Sequence, residues 1–203
     1  MLDDAELLRR YAAEKSEAAF AEVVRRHLNL VYSIALRQVG GDAHLAEDVA
    51  QQVFTALARR AETLSRRPSL TGWLYRSTHF AASDVVRAER RRKAREQAAL
   101  LMQSPDAPSA PIDWDRVRPV LDAAIADLAE RDRDAVSLRF LDGRSFAEIG
   151  AKLRLTENTA RMRVERALDK LHAALARRGV TSTTAAVGVA LAQQAAFAAP
   201  TGL

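Results

Sequence analysis

The chain has 203 residues, is 48% hydrophobic, carries a net charge of +5 and contains no cysteine. That length can bury one large core or two modest ones, and the basic balance fits a polyanionic partner. Without cysteine there are no disulfides and no thiolate metal sites, which agrees with a reducing compartment, and the acidic start MLDDAELL has none of the features of a signal peptide.

Ala, Leu, Arg and Glu dominate and no run of strand alternation stands out, so the expected fold is all-α. LDDAELLRRYAAEK opens the chain as a helix, followed by a longer periodic one with Phe20, Val24, Leu28, Val31 and Ala35 as its inward stripe. Gly40 and Gly41 end that helix and Asp42 caps the next. In this third helix Ala46, Val49, Val53, Phe54 and Leu57 face inward, while Asp48, Gln51, Gln52 and Thr55 face out. RAETLSRRPSLTG, residues 60–72, reads as a loop.

WLYRSTHFAASDVVRAERRRKAR then begins aromatic and ends strongly basic. Trp73, Tyr75, His79 and Phe80 are interleaved with Arg76, and Arg87, Arg90, Arg91 and Arg92 follow. Aromatic planes beside cations suit single-stranded nucleic acid, where each base offers a face and each phosphate a charge. Taken singly, each of these aromatics is as well explained as core.

The linker spans 97–114, and its stretch QAALLMQSPDAPSAPID holds three prolines among small and polar residues. It separates two small helical domains, 1–96 and 115–179. In the second domain Pro119 places the start of a regular helix near Arg118, with Asp113 to Val117 as a separate turn. DRDAVSLRFLDG makes the next helix. RSFAEIGAKLRLTENTARMRVERALDKL then gives two helices joined at Arg154 to Thr156, with Ser145 and Glu148 forming a capping box and Thr156 capping the second helix. A turn that short is the signature of a helix-turn-helix. Gly150 allows the crossing helix to approach closely. Opposite its apolar stripe the second helix carries Asn158, Met162, Glu165 and Asp169, flanked by Arg161 and Arg166, side chains suited to reading base edges and phosphates.

In this order AEDVAQQVF, WLYRSTHFAASDVVR and FAEIGAKLRLTENTARMRVERALDKL resemble the extracytoplasmic-function sigma factors of bacterial RNA polymerase, in the sigma-seventy family, from Phe20 to Arg178. The resemblance implies a promoter-specificity subunit for transcription initiation. Core-polymerase binding falls to Asp48, Gln51, Gln52 and Thr55, on the coiled coil of the beta-prime subunit, with the second domain on the flap of the beta subunit. It assigns minus-ten DNA, as melted single strand, to Trp73, Arg76, His79, Phe80, Arg87, Arg90 and Arg91. Double-stranded minus-thirty-five DNA goes to Asn158, Thr159, Arg161, Met162, Glu165 and Arg166. An anti-sigma factor is a further partner that such proteins take, and the cytoplasm is the implied location.

Two departures from the family pattern bear on specificity. Thr78-His79-Phe80 stands where many members have Ala-Arg-Asn, so position 80 can stack on a base but not hydrogen-bond to it, and the loop Ser65 to Thr71 is the other source of contact. Arg154 stands where glycine is usual, at a cost on the order of 1 kcal/mol if its φ is positive.

No catalytic residue, cofactor or metal site is predicted. There is no glycine-rich phosphate loop, and His27, His44, His79 and His172 lack ligand spacing. The alternative to a sigma factor is a helix-turn-helix regulator that does not replace the sigma subunit, which leaves the aromatic and basic helix unexplained.

The tail, residues 180–203, has no charged side chain. Thr183, Thr184, Gln193, Gln194 and Pro200 interrupt it, so membrane insertion within these residues is not expected. Val180, Thr184, Val187, Leu191, Ala195 and Ala198 share one helical face, which predicts a helix over 183–198 lying on one of the two domains, with a passive disordered end as the alternative.

Overall fold

Each of five side-chain oxygens accepts a backbone N–H three residues on and so starts a helix. Asp3 opens α1 (Asp4–Glu14), Ser16 opens α2 (Glu17–Gln38), Asp42 opens α3 (Ala43–Arg59), Ser145 opens α8 (Phe146–Leu153) and Thr156 opens α9 (Glu157–Arg177). Between them lie α4 (Ala61–Leu64), α5 (Thr71–Ala98), α6 (Trp114–Asp127) and α7 (Glu130–Phe140). This computed structural model describes the backbone of residues 2–98, 114–178, 180 and 191, and the side chains of these except 93–98 and 114–119. All of the regular structure among the described residues is helical.

Helices α1–α5 form a first unit whose apolar centre includes Leu8, Val23, Val31, Val49, Leu57 and Leu74. Gly40 and Gly41 follow α2 with φ of 74° and 87°, as the sequence predicts for a helix stop. The predicted stripe on α2 holds only in part. Val31 and Ala35 are fully buried, but Phe20, Val24 and Leu28 are half-buried, and the deepest positions in the first half of the helix are Ala19, Val23 and His27. The cause is α1, which packs on α2 and rotates the buried face toward its own side. Burying His27 is tolerated because Asp4 of α1 meets its Nε2 at 2.8 Å.

The predicted loop 60–72 contains the one-turn helix α4, whose Ala61 and Leu64 are buried, α4 packing on α1. Its last two residues already belong to α5. At its far end α5 runs to Ala98, past the predicted limit at 96, and residues 99–113 lie outside the described ones. The predicted turn before Arg118 is likewise absent: α6 begins at Trp114 and continues through Pro119. Proline's fixed φ is itself helical, so near a helix start it forfeits little beyond a hydrogen bond.

In the second unit, α6–α9, the capping box closes in both directions. Glu148 N donates to Ser145 Oγ at 3.3 Å, and Ser145 N donates to the Glu148 carboxylate at 2.8 Å. These bonds and Arg144 hold the Glu148 carboxyl down at about 2. Arg154 ends α8 in the left-handed region, φ 56°, where its Cβ is strained. A Cβ on Gly150 would lie 2.8 Å from the Leu155 carbonyl oxygen, so the turn closes only over glycine. Ile149 and Ala160 meet Leu138 at the crossing.

The two units are packed together. An apolar cluster of the second unit, with Leu121, Ile125, Leu128, Val136, Leu171 and Leu175, takes in Ile34 and Tyr75 from the first. Val180 and Leu191 are described from the tail, and Leu191 is buried in the same cluster. The predicted helix over 183–198 otherwise falls outside the described residues. None of the described helices is long and apolar enough to cross a membrane.

Candidate polymerase and nucleic-acid interface

Three helical faces carry the side chains singled out in the sequence. On α3 the core takes Ala46, Val49, Ala50, Val53, Phe54 and Leu57, so the 3.6-residue period leaves Asp48, Gln51, Gln52 and Thr55 exposed together. Gln51, Gln52 and Thr55 continue into a shallow groove bordered by Arg59 and Arg60. The face is polar, of mixed charge, and has hydrogen-bonding groups on every turn.

On α5 the spacing 76, 79, 80 puts Arg76, His79 and Phe80 on one face. Phe80 is 44% exposed, the largest exposure among the bulky apolar side chains described. The Arg76 guanidinium lies over its ring at 5.3 Å from the centroid, and the His79 ring meets it edge-on at 5.5 Å. His79 Nδ1 is 3.1 Å from Gln38 Oε1, and burial lowers its pKa, which favours the neutral imidazole. A flat exposed ring beside a cation is a stacking platform for a base.

Further along, Arg87, Arg90 and Arg91 are exposed, with Arg87 paired to Asp84 and Arg92 to Glu89. At 1.5 Å per residue Arg90 stands about 20 Å from Arg76, so the cations form a track along one helix and not a cluster. Trp73 does not join this face, since it is half-buried against the first core. Tyr75 leaves it entirely. It is fully buried, and its hydroxyl donates to the carboxylate of Asp122 in α6.

On α9 Ala160, Val164, Ala167, Leu171 and Leu175 are buried, and Asn158, Thr159, Arg161, Met162, Glu165 and Arg166 are all exposed. Thr159 is partly occupied by the cap, its hydroxyl 2.8 Å from that of Thr156. Arg161 is held in place: it reaches Glu157 at 3.8 Å and lies over the Phe146 ring at 5.1 Å, while Arg139 covers the same ring at 4.5 Å. That stacking orders a long side chain before any ligand arrives, so less entropy is lost on contact.

The residues missed in the sequence lie where the units meet. Arg133, 2% exposed, donates from Nε to the Gly72 carbonyl at 3.1 Å and from a terminal nitrogen to those of Ala126 and Leu128 at 3.0 and 2.7 Å. The Thr71 hydroxyl donates to Asp142 at 2.8 Å, and Arg67 pairs with Glu130 at 2.5 Å. Burial raises the carboxyls of Asp122 and Asp142, and takes Asp134 up to about 6 despite Arg67 nearby. An acidic residue within an apolar helix, such as Asp122 in VLDAAIADL, was the available signal. No group of three or more potential metal ligands occurs among the described residues.

Residues 23–92 match the family Sigma-70 region 2, and residues 124–173 match Sigma-70, region 4. The chain is similar to the ECF RNA polymerase sigma factor SigE of Mycolicibacterium smegmatis, 32% identical over 172 residues. That alignment covers 77% of this chain and 61% of SigE, so less than two thirds of that relative is spanned. Similarity to the RNA polymerase sigma factor CarQ of Myxococcus xanthus is 32% over 160 residues, 77% of this chain and 88% of CarQ. A solved structure, CnrH in complex with the cytosolic domain of CnrY, aligns with 86% of this chain and 99% of its own at 24% identity and a TM-score of 0.39.

Proposed function

The chain belongs to the extracytoplasmic-function sigma factors of the sigma-70 family, and from that premise we propose a division of labour among its three exposed faces. The α3 face, Asp48, Gln51, Gln52 and Thr55, binds core RNA polymerase through the beta-prime subunit, and the second unit rests on the beta subunit. The α5 face binds the melted minus-ten strand, with Phe80 as the stacking ring, Arg76 and His79 beside it, and Arg87, Arg90 and Arg91 following the phosphates. The α9 face reads the minus-thirty-five duplex. Trp73 serves this function from within the core, by fixing the roll of α5. The chain acts as an initiation factor and carries out no reaction of its own. It works in the cytoplasm and is open to control by an anti-sigma factor.

The observation that supports this reading is that the α3 and α9 faces and, on α5, Arg76, Phe80, Arg87, Arg90 and Arg91 are exposed together, each opposite a buried stripe of its own helix. The test is co-purification with sigma-free core polymerase and transcript initiation in a reconstituted system. The wild-type chain is expected to bind core and start transcripts by itself. Asp48→Arg combined with Gln51→Ala is expected to abolish core binding with helix content unchanged. Transcription that requires a second sigma subunit overturns the assignment.

A further inference from the structure

We infer that the unshared lone pair of His79 Nε2 makes this imidazole a hydrogen-bond acceptor that selects, for the base stacked on Phe80, one with an exocyclic amino group, adenine or cytosine. The inference deepens the reading above and rests on it, since it concerns the choice made at the proposed stacking ring.

The tautomer follows from the neighbour. His79 Nδ1 lies 3.1 Å from Gln38 Oε1, and an amide oxygen only accepts, so Nδ1 carries the proton. The far end of that amide fixes which way it points. Burial raises the Asp122 carboxyl and the Gln38 side chain is among the groups that pull it back, which only the NH2 end can do. Burial of His79 itself disfavours a second proton on the ring. In the neutral imidazole with Nδ1 protonated, Nε2 is a bare acceptor, and it has no hydrogen-bond partner among the described residues. Gln38 ends α2 and His79 lies in α5, so the arrangement belongs to the first unit alone.

Of the three side chains that meet at the platform, Phe80 has no polar atom and Arg76 only donates, which leaves His79 as the acceptor. Its ring centre is 5.5 Å from that of Phe80 and the planes are inclined at 63°, so a base laid on Phe80 has an edge beside the imidazole. Adenine and cytosine carry an amino donor where guanine and thymine carry a carbonyl oxygen. The amine closes a hydrogen bond to Nε2, whereas the carbonyl sets one lone pair against another and leaves both unsatisfied. Phe80 then supplies affinity and His79 the choice.

The test uses the full chain assembled with core polymerase, and promoter probes whose minus-ten bases are already single-stranded, so that ease of melting does not enter. The position facing Phe80 is the one at which an abasic site weakens binding by wild type but not by Phe80→Ala. There the wild-type complex should hold adenine or cytosine roughly three- to tenfold more tightly than guanine or thymine. Replacing adenine by unsubstituted purine, which lacks only the amino group, should lose about the same factor. His79→Ala should remove the difference at that position and leave the preferences elsewhere. Gln38→Glu should invert it, because a carboxylate on Nδ1 favours the doubly protonated ring, whose Nε2 donates. Circular dichroism identifies a variant that has unfolded, and the purine probe, which leaves the protein untouched, decides the matter in that case. No such position, equal binding of the four bases there, a preference for guanine or thymine, or an amino preference that survives His79→Ala overturns the inference and leaves the sigma reading, which rests on core binding, intact. A wild-type chain that binds neither core nor probe overturns both.

Discussion

The carboxylate of Asp134 lies against the α-carbon of Gly72: a Cβ at position 72 would stand 2.0 Å from its Oδ1 and 3.2 Å from its Cα. The close approach is between backbones as well as side chains, so a carboxylate rotation alone does not make room. Gly72→Ala is expected to weaken the packing of the two units by about 1–3 kcal/mol, the usual cost of overfilling a packed contact. Scattering should show a larger radius with helix content unchanged.

Asp134 also gives the fold a pH dependence. Burial raises its pKa to about 6 from an ordinary 3.8, against the opposing pull of Arg67 and Arg133 and with help from Glu130. The folded form binds the proton more tightly than the unfolded one. That contribution is fully present below 3.8 and is lost as pH rises through about 6. Asp134→Asn should therefore be more stable than wild type at neutral pH, by about 1–3 kcal/mol, and the difference should shrink as pH falls from about 6 toward 4. Urea titrations at several pH values measure it.

Gly150→Ala sets helix propensity against space. Alanine is better inside a helix by about 1 kcal/mol. Here its methyl would meet the Leu155 oxygen at 2.8 Å and the Glu157 nitrogen at 3.3 Å, both backbone atoms of the turn. The contact wins, and a net loss of about 1–2 kcal/mol is expected in the second unit. Weaker binding to duplex promoter DNA should accompany the lower melting point, because the turn sets the angle of α9.

Arg161→Ala with Arg166→Ala is expected to weaken promoter binding by roughly 1–3 kcal/mol per lost contact and to flatten its salt dependence. Both side chains are exposed, so stability should hardly change. Arg161 carries more of the effect because Phe146 already orders it. Filter binding at several salt concentrations separates the two.

What could be read from the sequence was local. The caps at Asp42, Ser145 and Thr156, the stop at Gly40, the close approach at Gly150 and the polar faces of α3 and α9 depend on residues within a turn or two of one another. Long-range partners were not legible. Tyr75 reads as one of four aromatics in a nucleic-acid motif, but its hydroxyl partner is 47 residues away, and nothing near it in sequence announces that partner. The stripe on α2 departs from its period for the same reason: this helix packs on α1, α3, α5 and α6, so burial follows several neighbours and not a single face. At position 119 the fixed φ of proline is compatible with the helix that runs through it, and a single helical turn at Ala61–Leu64 is too short to leave a period.

Ile34 and Tyr75 acquire their cover from helices made later in synthesis. At 5–20 residues per second the ribosome needs on the order of 10 s to pass from the end of α5 to the end of α9. During that interval a first unit that has already folded presents both side chains to solvent, beside Leu30. Nascent chains of this protein should accordingly be held by a chaperone that recognises apolar patches, and released once Leu171 and Leu175 have emerged.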